Sequence, residues 1–375
     1  MARQAQARLR RWWFQVHKWI GILLALAIIP ISLTGAALVW HDWLDDSLNP
    51  QRRVEAAASL PPSAYAAAAT RALAPGERLS SIAYPKGEGP VVVTLARPPV
   101  PGGGRPVRTI LYLDPRDGRL LDRTASDAGP VRFLHVLHGS LMIPEVGRQV
   151  VGWIGVAMLL SSVTGLWLWW PLTGSLARGL RWRRRTDVNS NLHHQMGFWI
   201  ALPLFMLSAT GVWISFPPFF AAISGASAPP SGADRARQMA AQPLAAPRIA
   251  PDRALAAAAP LAPGPLASIG WPTDQAPEWK LAFQRDGGNA EIKVDDATGQ
   301  VTPPSPPKPE TLARTMRRWH DGTGMGPVWQ VIIFIGGILP ALLAVTGILM
   351  WLRSRSWRAD VARRSRRRSE SVPAE

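Results

Sequence analysis

Asn191 to Gly211 reads NLHHQMGFWIALPLFMLSATG: two adjacent imidazoles, then a long run without one Asp, Glu, Lys or Arg. An apolar segment of about 20 residues is what a helix needs to cross a bilayer. Polar groups at the mouth of such a segment are costly unless they have a partner or a task. The rest of the chain indicates which.

Four stretches carry no charged residue: 19–40, 150–171, 196–220 and 327–352. Each is long enough to span, and Pro30, Pro203 and Pro340 inside them are tolerable where neighbouring helices re-satisfy the backbone. The expected organisation is a multi-pass α-helical protein with spans at 18–40, 150–171, 196–220 and 327–352. Segments 1–17, 172–195 and 353–375 then lie on one side, and the loops 41–149 and 221–326 on the other. The composition agrees: 375 residues, nearly half apolar, hold 18 Trp but only 3 Tyr. The first stretch follows Arg3, Arg8, Arg10 and Arg11 as a signal peptide would. Its apolar run exceeds the usual h-region of about 7–15 residues and no A-x-A site follows, so a retained span is expected.

The formal net charge is +17. Spread over a soluble surface, it would suggest nucleic acid. Instead, the segments around 1–18, 178–187 and 353–375 hold eighteen positive charges against four negative ones. That concentration is the positive-inside pattern, which puts both termini and the short link in the cytoplasm and the two long loops outside. The Arg-rich tail reads as a topology and lipid-surface determinant. With no cysteine, the chain has no disulfide, no iron–sulfur cluster and no C-x-x-C-H attachment for haem.

The histidines of the quoted stretch belong to an internal repeat. His17 to Thr34 is 17 residues, as is His193 to Thr210; Gly21 and Gly197 follow their histidines by four, and Gly35 and Gly211 follow their threonines by one. His138 to Thr164 and His320 to Thr346 are both 26 residues, with Gly165 and Gly347 next. The chain therefore reads as two parallel copies of span, outer loop, span. The outer loops repeat more weakly. Each gives a short helix (LPPSAYAAAATRAL; APDRALAAAAPLA) and three strand-like segments, with matching hairpin turns at DPRDG, 114–118, and DDATG, 295–299. Two small α+β modules are expected, with Pro- and Gly-rich linkers at RPPVPGGGRP and TPPSPPKPE.

Topology places His17 and His193 near the inner face, and His138 and His320 near the outer one. An approximate two-fold relation between the copies would bring each equivalent pair together, making two bis-histidine sites of the kind that hold haem iron. The T-G dipeptides would lie close to these sites. Either they admit a flat cofactor against the backbone, or they serve close helix packing alone. His194 points about 100° away from His193 and is the reserve ligand. His135, one helical turn before His138, could ligate, contact a propionate or serve a substrate. His41 has no counterpart, since position 217 is proline. Met142 and Met325 are conceivable axial ligands, though more ordinary as apolar filler. Arg11, Arg132, Arg148, Arg317 and Arg318 could pair with propionates or simply snorkel. No G-x-G-x-x-G follows a strand, so an electron donor would be external: a cytoplasmic flavoprotein or a membrane quinol.

The segments FQVHKWIGILLALAIIPISLTGAALVW, LHGSLMIPEVGRQVVGWIGVAMLLSSVTGLWLWW, NLHHQMGFWIALPLFMLSATGVW and WHDGTGMGPVWQVIIFIGGILPALLAVTGILMWLR together resemble the PepSY-associated transmembrane family. That family includes iron-regulated bacterial inner-membrane proteins and haem-bearing ferric-siderophore reductases. The resemblance implies four membrane helices, two periplasmic PepSY-type modules, two b-type haems held by His17, His193, His138 and His320, and electron delivery to a ferric siderophore. Long Pro- and Ala-rich insertions in the outer loops depart from the family. A reading from a different class makes the outer modules the working part, regulating a periplasmic peptidase, with the helices as anchor. A transporter would need inverted repeats and a charged mid-span site; here the repeats are parallel and no carboxylate lies mid-span.

Overall fold

The computed structural model describes residues 2–98, 106–170, 175–182, 187–225, 240–285, 288–304 and 310–370, with Asp234 and Arg237. The linker stretches 99–105 and 305–309, and Arg183, Arg184 and Arg185 of the basic link, lie outside the described residues, as do the side chains of Arg178 and much of the Arg-rich tail. The chain divides into two compact units. One holds residues 1–41, 134–228 and 310–375; the other holds 42–133 and 229–309.

In chain order the helices are α1 (Ala2–Leu38), α2 (His41–Leu48), α3 (Pro62–Arg71), α4 (Pro130–Ser140), α5 (Gly147–Trp169), α6 (Leu176–Gly179), α7 (Val188–Ser215), α8 (Pro217–Ser224), α9 (Pro251–Ala258), α10 (Leu312–Asp321) and α11 (Pro327–Glu370). Four of them, α1, α5, α7 and α11, are long and apolar enough to cross a membrane. They are longer than the charge-free stretches require: α1 starts at Ala2, and α11 runs on to Glu370. The stretch at 196–220 is not one helix, because α7 ends at Ser215 and Pro217 starts α8. Proline is accepted at the first helical turn, where its missing N–H is no loss.

The four long helices form a closed square: α1 packs on α5 and α11, and α7 packs on α5 and α11. Leu26 is 89% exposed and Leu202 77%. Apolar side chains so exposed on helices of this length are suited to lipid contact. Because lipid is as apolar as leucine, close packing of small residues holds such a bundle together. Arg10 adds a polar tie, donating to the carbonyls of Trp167 (3.4 Å), Leu168 and Trp170 (3.1 Å), which are left open at the end of α5.

In the second unit the strands are β1 (Arg78–Ala83), β2 (Val91–Ala96), β3 (Thr109–Leu113), β4 (Leu120–Ala125), β5 (Leu266–Gly270), β6 (Glu278–Arg285), β7 (Gly288–Asp295) and β8 (Val301–Thr302). The sequence leads one to expect two separate modules of three strands each. The structure corrects this: there are four strands on each side, joined in one antiparallel sheet of order β4-β3-β2-β1-β5-β6-β7-β8. The fourth strand follows each turn. Gly118 and Gly299, both at φ +73, donate to the carbonyls of Asp114 and Asp295 at 2.9 Å, and the chain folds back. That left-handed φ is one glycine adopts without steric cost.

The sheet is continuous because β1 pairs with β5, setting Ile82 against Ile269. Alternate residues of the inner strands point to one face: Val91, Val93 and Leu95 on β2; Trp279, Leu281 and Phe283 on β6; Ile292 and Val294 on β7. α3 and α9 cover that face with Tyr65, Ala68, Ala69, Ala254 and Ala258, all in a single core. Fully burying a Val, Leu, Ile or Phe side chain contributes about 1.5–3 kcal/mol. Pairing β1 with β5 also removes two sheet edges that separate modules would expose.

Buried charge in this unit is answered locally. Glu77, its side chain fully buried, accepts from Thr109 (2.5 Å), the Ala74 N–H (2.9 Å) and Arg123 (2.7 Å). Burial alone would raise its carboxyl, but these partners hold it below the usual range.

Candidate functional site: two histidine pairs in the helical bundle

The fold brings the four repeat histidines together two by two. The ring centres of His17 on α1 and His193 on α7 are 6.5 Å apart, with planes at 85°. Those of His138 on α4 and His320 on α10 are 6.0 Å apart, with planes at 44°. Gly35, against the His138 ring, stands eighteen residues beyond His17 on α1, so about 27 Å of helix separates the two pairs.

Each ring is seated on a T-G dipeptide of a neighbouring helix. A Cβ added to Gly165 would meet His17 Cε1 at 3.1 Å; one at Gly347 would meet His193 at 3.4 Å, one at Gly211 would meet His320 at 3.1 Å, and one at Gly35 would meet His138 at 2.7 Å. Each T-G pair thus lies directly against an imidazole. The glycine makes room for an imidazole edge, and the residues around it fix how the imidazole is turned.

The threonines show how. Thr346 Oγ1 donates to Leu342 O (2.9 Å), Thr210 Oγ1 to Met206 O (2.8 Å) and Thr164 Oγ1 to Ser161 O (3.1 Å). With its proton so placed, each hydroxyl oxygen accepts. His193 Nδ1–H donates to Thr346 at 2.8 Å, His320 Nδ1–H to Thr210 at 3.0 Å and His17 Nδ1–H to Thr164 at 3.1 Å. His138 differs: its Nδ1–H donates to the Ile31 carbonyl at 2.8 Å, and Thr34 donates to the same carbonyl at 3.1 Å. The His320 Nδ1 also faces the Leu207 carbonyl at 3.1 Å. A carbonyl can only accept, so the proton lies on Nδ1 in His138 and His320, and the threonine hydroxyls, with their own protons given to the helix, favour the same tautomer in His17 and His193. Nε2 is then the nitrogen with the lone pair, the form in which histidine binds a metal.

Burial also favours the neutral ring. Outside the long helices, it holds His138 below the ordinary histidine range and His320 down at about 4, with each ring's proximity to the other a further cause for His320. Two neutral imidazoles on opposite sides of one ion, each about 2 Å from it through nitrogen, would place their ring centres about 6.3 Å apart. Both pairs have that spacing. Among the described residues no group of three or more His, Cys, Asp or Glu could hold a metal, so the bundle offers pairs.

The other histidines lie elsewhere. His194 turns away from His193 and stacks on Trp169, with ring centres 5.8 Å apart. His135 meets His41, 6.0 Å away. Met142 is half exposed with a left-handed backbone, and Met325 lies in the turn between α10 and α11. Of the arginines, Arg148 donates to the Ile214 carbonyl and Arg318 pairs with Glu310 at 2.8 Å, while Arg11, Arg132 and Arg317 are exposed. The tie made by Arg10 to the end of α5, and the Ile31 and Leu207 carbonyls that face His138 and His320, were not readable from the sequence. Backbone acceptors leave no trace in side-chain patterns.

Fold and site together define a four-helix membrane protein with a buried imidazole pair towards each end of its bundle. The family of PepSY-associated TM regions matches residues 14–354, nearly the whole chain, and the protein belongs to it. No curated protein matches the chain.

Proposed function

We propose that this protein is a two-haem electron conduit of the bacterial inner membrane, built from two parallel repeats with both termini in the cytoplasm. It would take electrons from a cytoplasmic flavoprotein or a quinol and reduce a ferric siderophore outside. The observation that carries this reading is that four histidines in two equal spacings meet as two pairs, each ring with its Nδ1 proton committed and Nε2 left as the donor.

His17 and His193 would hold one b-type haem, and His138 and His320 the other; haem iron supplies reversible one-electron chemistry at each end of the bundle. The protein's own part is positional. Thr164, Thr346, Thr210 and the Ile31 carbonyl hold the rings in one tautomer and at one angle, and the glycines beside them let the rings lie close to the helices. Apolar helix walls keep water from the path. At the outer side, a chelated Fe3+ that gains one electron becomes Fe2+, loses charge and is held less firmly by hard oxygen ligands. The concentration of arginine at 1–18, 178–187 and 353–375 supports the orientation.

A visible spectrum of the purified protein tests the reading. The expected result is a Soret band with about two haems per chain, falling to about one in His17→Ala or His193→Ala and likewise in His138→Ala or His320→Ala. A colourless protein after expression with ample iron and porphyrin precursor overturns it.

A further inference from the structure

One pair of imidazoles lies outside the two sites. His41 opens α2, His135 lies on α4, and their ring centres are 6.0 Å apart with planes at 86°. Both residues are exposed, unlike the four of the repeat. His41 Nδ1–H donates to the Leu38 carbonyl at 3.0 Å, which again leaves Nε2 as the lone-pair nitrogen. His135 stands one helical turn before His138 on α4.

Comparison of the two halves of the chain sharpens the observation. Carrying the spacing of His17 to His193 onto His41 leads to Pro217, and carrying that of His138 to His320 onto His135 leads to Arg317. Neither imidazole has a counterpart, so the half with both is matched by a half with neither. Two residues almost a hundred positions apart in sequence meet in the fold and occur together, as the two arms of one ligand set would.

We propose that His41 and His135 bind one divalent first-row transition-metal ion beside the His138–His320 pair. Neutral imidazole suits iron(II), nickel, copper and zinc, with water or chelate oxygens filling the remaining positions. The chemistry of the ion rests on the function proposed above: there, it is the ferrous product, caught as it leaves its oxygen ligands. Binding itself does not depend on that reading.

The test uses the full chain in detergent and Zn2+ as the probe, measured by competition with a fluorescent chelator while the Soret absorbance per chain is followed. Wild type is expected to bind one Zn2+ that His41→Ala and His135→Ala each weaken about tenfold or more, with the Soret band unchanged. His41→Gln and His135→Gln, which keep side-chain bulk, guard against misfolding, and monodispersity on a sizing column is the criterion. Equal Zn2+ binding in wild type and all folded variants overturns the proposal. So does loss of Soret absorbance in the His135 variants, which would make His135 an axial ligand. A colourless wild type whose Zn2+ binding still depends on both residues would overturn the electron-conduit reading and leave this site standing.

Discussion

Thr346 Oγ1 lies 2.8 Å from His193 Nδ1, and Gly347 beside it leaves the space that the ring edge fills. One dipeptide thus sets both the tautomer and the position of a histidine on another helix. The same holds for Thr210-Gly211 with His320 and Thr164-Gly165 with His17.

Valine in place of these threonines keeps the shape and removes the acceptor. With haem bound as proposed, Thr346→Val is expected to weaken its retention by about 10–100-fold, the usual effect of losing the hydrogen bond behind a ligating histidine, and Thr210→Val and Thr164→Val less, because His320 also faces the Leu207 carbonyl at 3.1 Å and His17 the Ser161 hydroxyl at 3.3 Å. Thr34→Val should do far less, because His138 donates to the Ile31 carbonyl rather than to Thr34. Haem loss to apomyoglobin, followed at the Soret band, measures this; four equal effects would contradict the assignment.

Alanine in place of the glycines should give a graded series. The added Cβ would come within 2.7 Å of the ring at Gly35, 3.1 Å at Gly165 and Gly211, and 3.4 Å at Gly347. Gly35→Ala therefore displaces its histidine most and Gly347→Ala is nearly silent, since 3.4 Å is ordinary contact. Haem per chain after purification should follow that order, and a Gly347→Ala variant worse than Gly35→Ala would refute it.

Acid should loosen the sheet unit. The Asp114 carboxyl is held at about 2, against an ordinary 3.8, first by the Arg116 side chain and then by the Arg116 N–H. A group depressed in the folded state stabilises it above the ordinary value, and that contribution is lost as pH falls from about 4 towards 2. Glu77, also depressed, acts in the same direction. Asp114→Asn should cost about 1–2 kcal/mol at neutral pH and flatten the fall in stability below pH 4, read from near-UV circular dichroism melts. An unchanged acid slope would show that the turn is not responsible.

Ile82 and Ile269 face each other across the central strand pair, both fully buried. Ile82→Ala should lower stability by about 2–5 kcal/mol, and it should destabilise the strands of both halves together, because they share one core. Hydrogen exchange would show β2 and β6 losing protection equally; loss confined to β1–β4 would mean two independent modules after all.

Much of the bundle was legible in the chain. Charge-free runs long enough to span gave the four helices, because a bilayer imposes length and polarity on a segment taken alone. The histidine pairing was legible too, since equal spacings in two copies carry over to equivalent places in space. The strand positions followed from period-two alternation, but not the strand neighbours. Nothing in LSSIAYP or LASIGWP says that β1 lies beside β5, because pairing joins residues almost two hundred positions apart through backbone groups that every residue owns.

The amino-acid order by itself determined which segments are apolar, where the imidazoles fall along them, and that the pattern occurs twice. Tertiary structure alone decided that each T-G pair lies against a histidine ring, that the strands of the two halves form a single sheet, and that His41 meets His135. Each of these depends on carbonyls and on the few ångströms between neighbouring elements, which exist only once the chain has closed on itself.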